Sequence, residues 1–267
     1  MKTTILTLSV LLLILLSSPA HAVNWCAHAN IKGCYPMDGD EANSLLDVSS
    51  NGFNLTNSGA TFESNQANCQ IGECWDFDGN DTSRLSAGTQ IDISGSTVLT
   101  VVAWFKYDDA GVEEQTIASN WSPVGGKGAF LLRVEPSNNR IEAFILEGNN
   151  VTVSSSPSDI TITANAWTHV AITYEGNDSL RVYINGVLGN NLGASSNAAI
   201  DSTTSDDLFI GTSEHSLTDD LRGNVDEVAI FLAKLTLNEI IDIKDNGLNP
   251  APVTLSSGTL QGVTINK

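Results

Sequence analysis

Short runs of alternating apolar and polar residues recur along most of the chain, separated by turns rich in Gly, Asn, Ser and Asp. A period of two buries one face of an extended segment and is typical of β-strands. Asn185-Gly186 is the dipeptide that two-residue type I′ hairpin turns favour. The pattern therefore predicts many short strands, the clearest being residues 99–105, 129–134, 140–146, 167–174, 180–184 and 208–210.

Residues 223–240 combine a buried strand with the start of a helix. Thr236 and Glu239 form a capping box, and Gly247 predicts the end of the helix. Only residues 236–246 have a helical pattern, so the predicted fold class is all-β: an antiparallel β-sandwich or jelly roll with one short C-terminal helix. Asp226 is the anomaly, because a carboxylate in an apolar strand must be solvated, paired or bound to a cation.

The first 22 residues have the features of a secretory signal peptide: Lys2, an apolar core over residues 5–16 and a small-x-small cleavage site at residues 20–22. We therefore expect an exported chain beginning at Val23, with no membrane insertion after cleavage and a secreted, extracellular or periplasmic location. Residues 248–267 contain a Pro-Ala-Pro break followed by weak alternation, which predicts either an added edge strand or a flexible tail.

The chain is strongly acidic, with 12 Lys and Arg against 31 Asp and Glu and a formal net charge of −19. Nucleic acids and anionic membranes are bound through Lys and Arg patches, so this charge argues against both as partners. It is compatible with divalent cations. Taken alone, the excess negative charge is best explained as keeping the protein soluble in a salty or extracellular medium.

The chain has four cysteines, all in its first third. An even number in an exported protein indicates two disulfides, for which three connectivities are possible. Local pairing, Cys26–Cys34 and Cys69–Cys74, is preferred because both loops are short. A zinc site is disfavoured, since there is no CxxC pair and no nearby His cluster.

Four segments in this order resemble the laminin G-like, concanavalin A-like jelly-roll domains of secreted proteins. They are YPMDGDEANSLLDVSSNGFNLTNSGATF at residues 35–62, CWDFDGND at 74–81, WTHVAITYEGNDSLRVYINGVLG at 167–189 and the segment 208–240, which contains GNVDEVAIF. The resemblance implies one such domain over residues 23–247, built from two antiparallel sheets with the first and last strands side by side.

The same resemblance implies one structural calcium ion near the seam between the chain ends. With the first and last strands side by side, Asp38 and its neighbours would lie close to Asp226. Calcium takes six to eight hard oxygen ligands, and the predicted ligand set is Asp38, Asp47, Asn51 and Asp226. The alternative for each acid is a solvated turn residue.

Catalysis is not expected. Sugar-cleaving relatives on this scaffold carry a Glu-x-Asp-x-x-Glu triplet on one strand, which is absent here. Glu135 and Glu142 lie on different runs with no evident partner carboxylate. Residues 76–81 fail the EF-hand spacing, and no Gly-x-Ser-x-Gly nucleophile elbow occurs.

Sugar recognition uses aromatic rings beside Asn, Asp and backbone groups. Trp121, with Asn120, is the best candidate because it is expected in a polar loop, although a ring covering the sandwich edge is an equal alternative. Trp75 is the second candidate. Trp104 and Trp167 belong to apolar runs and are expected in the core.

The leading functional hypothesis is an exported, non-catalytic binding module for carbohydrate or a glycoconjugate, stabilised by calcium. The alternative is a structural or adhesive domain that binds a surface protein. A glycan-processing enzyme is the least favoured class, and resemblance in fold does not by itself fix function.

Overall fold

A computed structural model describes residues 23–249, except for short internal gaps at 109–112, 123–126, 149–150, 155–158, 191, 196–197, 202–206 and 214–218. The predicted signal peptide and residues 250–267 of the predicted tail lie outside the described residues. Within the described ranges, no helix is long and apolar enough to cross a membrane.

The described residues are mostly β-strand. The strands are β1 (Ile31–Tyr35), β2 (Thr56–Ser58), β3 (Thr61–Glu63), β4 (Cys74–Asp78), β5 (Arg84–Gly88), β6 (Val98–Tyr107), β7 (Gln115–Ser122), β8 (Lys127–Glu135), β9 (Arg140–Glu147), β10 (Val151–Ser154), β11 (Thr168–Glu175), β12 (Ser179–Ile184), β13 (Val187–Leu188), β14 (Gly193–Ala194), β15 (Leu208–Ile210) and β16 (Arg222–Phe231). The α-helix is α1 (Leu237–Asn246), and short 3₁₀ turns occur at Trp25–Ala27, Asn43–Leu45 and Pro136–Asn138.

The strands form two antiparallel sheets, as the sequence predicts. The nine-stranded sheet has the order β13-β12-β11-β6-β16-β4-β3, with β1 also beside β16 and β14 beside β12. The seven-stranded sheet has the order β10-β9-β8-β7-β15-β5-β2. Alternate residues of each strand enter the core between the sheets, for example Val101, Ala103 and Phe105 of β6.

A third layer covers part of the outer face of the nine-stranded sheet. Apolar residues that point away from the main core, such as Val102, Ala171 and Phe231, pack against Ile240 and Ile243 of α1. The helix begins with the predicted capping box, in which the side chains of Thr236 and Glu239 each bond the backbone of the other residue. The sandwich therefore has an inner core and a smaller outer core beneath the helix.

Strand β16 joins the two ends of the domain. On one edge it pairs with β6; on the other it pairs first with β4 over Arg222–Val225 and then with β1 over Val228–Phe231. A β-bulge interrupts β16 between these partners, where Asp226 lies opposite Trp104 and Glu227 has a φ of 53°. The side-by-side first and last strands confirm the expectation. We call the position of Asp226 and Glu227, between the end of β1 and the start of β4, the strand junction.

Both disulfides have the expected local pairing. Cys26–Cys34 and Cys69–Cys74 have Cα–Cα distances of 5.4 and 5.5 Å. The second bridge closes residues 69–74 into what we call the disulfide loop, which leads directly into β4. The predicted hairpin turn is also present, with φ of 50° at Asn185 and 78° at Gly186, as a type I′ turn requires.

Candidate functional site

The carboxylate of Asp226 is fully buried at the strand junction. Its Oδ2 accepts a 2.9 Å hydrogen bond from the backbone N–H of Ile71, in the disulfide loop. Its Oδ1 is buried and has no hydrogen-bond partner among the described residues. Burial raises the pKa of this carboxyl well above its usual range, and the charge of Asp38 raises it further. A buried oxygen without a partner requires a proton, a water molecule or a cation.

Asp38 follows the end of β1 and lies against the same loop. Its Oδ1 accepts a 3.3 Å hydrogen bond from the backbone N–H of Glu73. Gly72 packs so closely that an added Cβ would lie 1.8 Å from this oxygen, and its φ of 59° is in the left-handed region. Burial, with a smaller contribution from the charge of Glu73, raises the pKa of Asp38 to about 6.

Glu227 is a third carboxylate at the strand junction, and sequence reasoning did not select it. Its side chain is buried and accepts a hydrogen bond from the backbone N–H of Leu248, just beyond α1. Burial raises the pKa of Glu227 well above its usual range, followed by the charges of Asp226 and Asp38. The one signal in the sequence was the irregular step in the alternation of β16 at this position, which marks the bulge.

These acids repel one another, and none forms an ion pair with a Lys or Arg in the described part of the chain. Asp38 and Asp226 fit a calcium ion in chemical type, because both are hard oxygen donors and Asp226 offers a buried, unpartnered oxygen. Within the described ranges, however, no three Asp, Glu, His or Cys side chains lie close enough together to hold a metal by themselves. Backbone carbonyls and water would have to complete the shell.

The other two predicted ligands lie in a different place. Asp47 Oδ1 accepts hydrogen bonds from the backbone N–H groups of Cys34 and Ser49, and its Oδ2 accepts from the Ser49 hydroxyl and the Phe53 N–H. Asn51 donates to backbone carbonyls of β1, those of residues 31 and 32. Both side chains are thus engaged in fastening the turn after residue 46 to β1. The structure brings Asp38 and Asp226 together and does not add Asp47 or Asn51 to them.

The predicted sugar-binding residues lie in a strand, so their placement in a loop was wrong. Asn120 and Trp121 occupy the last part of β7. Asn120 is opposite Phe130 and is buried, with 3% of its surface exposed. Trp121 is half-buried, and its ring meets Phe144 edge-on at 6.4 Å between centroids. The register of β7 is irregular between these two residues: Asn120 lies opposite Phe130 of the inner core, whereas Trp121 lies beside Phe144.

Trp121 and Phe144 lie beside a charged cluster on the outer face of the seven-stranded sheet. The guanidinium of Arg133 lies 5.3 Å from the centroid of Phe144 and forms ion pairs with Glu142 at 2.7 Å and Asp219 at 3.0 Å. Sequence reasoning assigned only a structural or surface role to Glu142 and did not select Arg133. We call Trp121, Phe144, Arg133, Glu142 and Asp219 the aromatic–charged patch.

The other tryptophans also differ from expectation. Trp75, the second sugar-binding candidate, is fully buried and packs on Phe62, so it offers no surface. Trp104 is buried as expected. Trp167 was expected in the core but is half-buried, and its Nε1 donates a 3.2 Å hydrogen bond to the backbone carbonyl of Asn68.

Comparison with solved structures shows the same fold at low sequence identity. The binding domain of Paraclostridial Mosquitocidal Protein 1 is similar with a TM-score of 0.61 and 16% identity, over 80% of this chain and 52% of that one. The botulinum neurotoxin serotype G binding domain gives 0.60 and 16%, over 80% and 50%. This chain therefore spans about half the length of the toxin binding domains that it matches.

A third similar structure matches over nearly its whole length. It is domain 4 of AbnA, a GH43 extracellular arabinanase from Geobacillus stearothermophilus, in complex with arabinotriose. The TM-score is 0.59 and the identity 18%, over 80% of this chain and 98% of that one. At these identities the three structures show the fold that this chain shares with them.

No curated protein matches this chain in sequence. A family model does match, over residues 77–241, which include β5 to β16 and the first half of α1. The two-sheet sandwich agrees with that match. The chain belongs to the Laminin_G_3 family of the concanavalin A-like lectin/glucanases superfamily.

Proposed function

We propose that this chain is an exported, non-catalytic binding module that recognises carbohydrate or a glycosylated surface. The observation that carries the proposal is the aromatic–charged patch. Sugars are bound by stacking on aromatic rings and by hydrogen bonds from planar polar side chains. Trp121 supplies a half-buried indole, and Arg133 and Glu142 supply planar donors and acceptors held in place by their ion pair.

The arabinanase domain supports this class of ligand. That domain was solved in complex with arabinotriose, and this chain matches it over most of both chains. At 18% identity the likeness extends to the fold alone. The choice of sugar for this chain must come from its own side chains.

The positions of the candidate catalytic acids support a non-catalytic role. Glu142 forms an ion pair with Arg133. Glu135 accepts hydrogen bonds from Ser137 and Asn138 in the adjoining turn. Two carboxyl groups facing each other across a cleft are needed for glycoside hydrolysis, and these two belong to a surface turn and an ion-pair network.

We also propose that calcium binds at the strand junction through Asp38 and Asp226. The ion would compensate the mutual repulsion of the buried acids and supply the missing partner of Asp226 Oδ1. Because these residues belong to the two ends of the domain, binding would favour only the folded state and so stabilise it. The role is structural, since the aromatic–charged patch lies on the other sheet.

A glycan array probed with the purified protein tests the proposed function. The expected result is binding to a defined set of glycans that is lost in Trp121→Ala and retained in Val187→Ala, which removes an exposed apolar side chain from β13. Absence of glycan binding by the wild type, together with recovery of a protein ligand from a cell surface, would instead favour the adhesive alternative.

A further inference from the structure

A second cleft lies on the outer face of the nine-stranded sheet, where β4, β16 and β6 run side by side. Its volume is about 490 Å³, and the polar residues that line it include Asp76, Asp78, Lys106, Arg222 and Asn224. Asn224 is paired across the sheet with Asp76 on one side and Lys106 on the other. Directly paired residues of neighbouring strands point to the same face, so these three side chains form one row.

The charges of this cleft face one another without forming ion pairs. Asp76 accepts a 3.1 Å hydrogen bond from the side-chain amide of Asn224, and the amine of Lys106 donates to the backbone carbonyl of Asn68 at 3.2 Å. No ion pair within 4.0 Å joins Lys106 or Arg222 to a carboxylate in the described part of the chain. Burial raises the pKa of Asp76, and the charge of Lys106 opposes that rise. The cationic groups of Lys106 and Arg222 therefore line the same concave surface as carboxylates with which they form no ion pair.

Trp167 lies beside the row of side chains formed by Asp76, Asn224 and Lys106. Its ring lies 5.3 Å from the amine of Lys106, and its Nε1 shares the carbonyl of Asn68 with that amine. Asn165, two residues earlier in the chain, lines the cleft itself. The backbone carbonyl of Asn68 thus accepts hydrogen bonds from both the Trp167 indole and the Lys106 amine, and holds these two groups next to each other at the border of the cleft.

The mixture of charges restricts the class of ligand. Lys106 and Arg222 would repel a metal cation, whereas Asp76, Asp78 and Asp108 would repel an anion. A neutral molecule with several hydroxyl groups satisfies both kinds of residue, because each hydroxyl donates one hydrogen bond and accepts others. The indole of Trp167 offers an apolar surface for the C–H groups of a sugar ring.

We propose that this cleft is a carbohydrate subsite, distinct from the aromatic–charged patch and on the opposite sheet, that binds a neutral sugar unit through its hydroxyl groups. This inference rests on the proposed carbohydrate-binding function and assigns it a second surface. Asp76 and Asp78 accept from hydroxyl groups, Lys106, Arg222 and Asn224 donate to them, and Trp167 packs against the ring.

The test is calorimetric titration of the purified protein with the glycans that it binds on the array. Asp76→Asn and Arg222→Ala are each expected to weaken the binding of at least one glycan about ten-fold. Asp92→Asn is the matched control, because Asp92 is an exposed carboxylate that accepts local hydrogen bonds from Ser94. Its affinity is expected to equal that of the wild type, and the melting temperatures of all three variants identify any failure to fold.

The outcomes separate the two proposals. If every bound glycan keeps its affinity in both cleft variants and loses it in Trp121→Ala, the subsite is wrong and the proposed function stands. If folded wild-type protein binds no glycan, the proposed function fails and the subsite fails with it. A metal ion or a charged amino acid that binds the cleft in place of the glycans would overturn the assignment to neutral sugars.

Discussion

Asp38 and Asp226 come from opposite ends of the domain and accept backbone hydrogen bonds from the same disulfide loop. Ile71 donates to Asp226 at 2.9 Å, and Glu73 donates to Asp38 at 3.3 Å. The loop thereby holds the two acids close together at the strand junction. The charge of Asp38 raises the pKa of Asp226 and of Glu227, and the charge of Asp226 also raises the pKa of Glu227. This arrangement concentrates negative charge where the first and last strands meet.

Calcium should stabilise the protein through Asp226. At a free concentration about 100 times its Kd, one ion is expected to raise the free energy of unfolding by about 2.7 kcal/mol. Denaturant unfolding with calcium and with a chelator measures this difference. In Asp226→Asn the difference should disappear, whereas the exposed control Asp92→Asn should retain it. An identical calcium response in Asp226→Asn and wild type would remove Asp226 from the site.

Gly72→Ala should be strongly destabilising. An added Cβ would collide with Asp38 Oδ1, and the positive φ adds its own cost, so we expect a loss of about 3 kcal/mol in the free energy of unfolding. Gly95→Ala is the matched control, because Gly95 has a φ of 73° and open space around its Cβ position. Its loss should be about 1 kcal/mol. Equal losses would show that the close approach of Gly72 to Asp38 is not maintained in solution.

The two disulfides should differ in their effect on calcium. Replacing Cys69 and Cys74 by Ser frees the loop that holds both acids, so calcium affinity is expected to fall. The same change at Cys26 and Cys34 is the control, since that bridge joins the N-terminal segment to β1 and its cysteines are not in the disulfide loop. Calcium titration followed by calorimetry compares the double variants. A larger loss of affinity in the Cys26–Cys34 variant would contradict the proposed role of the loop.

His169 should make the folded state sensitive to acid. It is fully buried, and burial, followed by the charge of Lys244, lowers its pKa from 6.5 to about 3, while Asp245 acts in the opposite direction. Between about pH 3 and pH 6.5 the unfolded chain therefore binds more protons than the folded chain. Stability therefore falls as pH decreases from about 6.5 towards 3, by up to about 1.4 kcal/mol per pH unit.

His169→Phe isolates this contribution, because it keeps a ring against Trp104, which His169 meets edge-on at 5.3 Å. Unfolding curves between pH 4 and 7 should show a shallower acid loss in the variant than in the wild type. Identical pH dependence in the two proteins would mean that His169 is protonated as readily in the folded state as in the unfolded one.

Much of the fold could be predicted from the sequence because its signals are local. The Asn185-Gly186 turn, the capping box of Thr236 and the strands β6 and β11 each appear where the pattern places them. The disulfide pairing was also predictable from a local signal, because each bridge closes a short loop. Membership of one family then linked the two chain ends, which local signals cannot do.

The site was predicted less completely because it depends on contacts between distant segments. Asp47 resembles a calcium ligand in sequence, yet its oxygens already accept hydrogen bonds from backbone N–H groups and from the Ser49 hydroxyl. Glu227 was missed because only the bulge reveals that it turns inward. Polar neighbours suggested a loop for Trp121, although it ends a strand beside Phe144, which lies far away in sequence.

Titration calorimetry of Trp121 variants with the best glycan from the array tests the central claim most directly. Loss of a stacked ring is worth about 1–3 kcal/mol by analogy with other ring-stacking contacts, so Trp121→Ala should weaken binding by about five-fold to about 150-fold. Trp121→Phe, which keeps a ring beside Phe144, should retain most of the affinity. Equal affinity in wild type and Trp121→Ala, with both proteins folded, would contradict sugar recognition by the aromatic–charged patch.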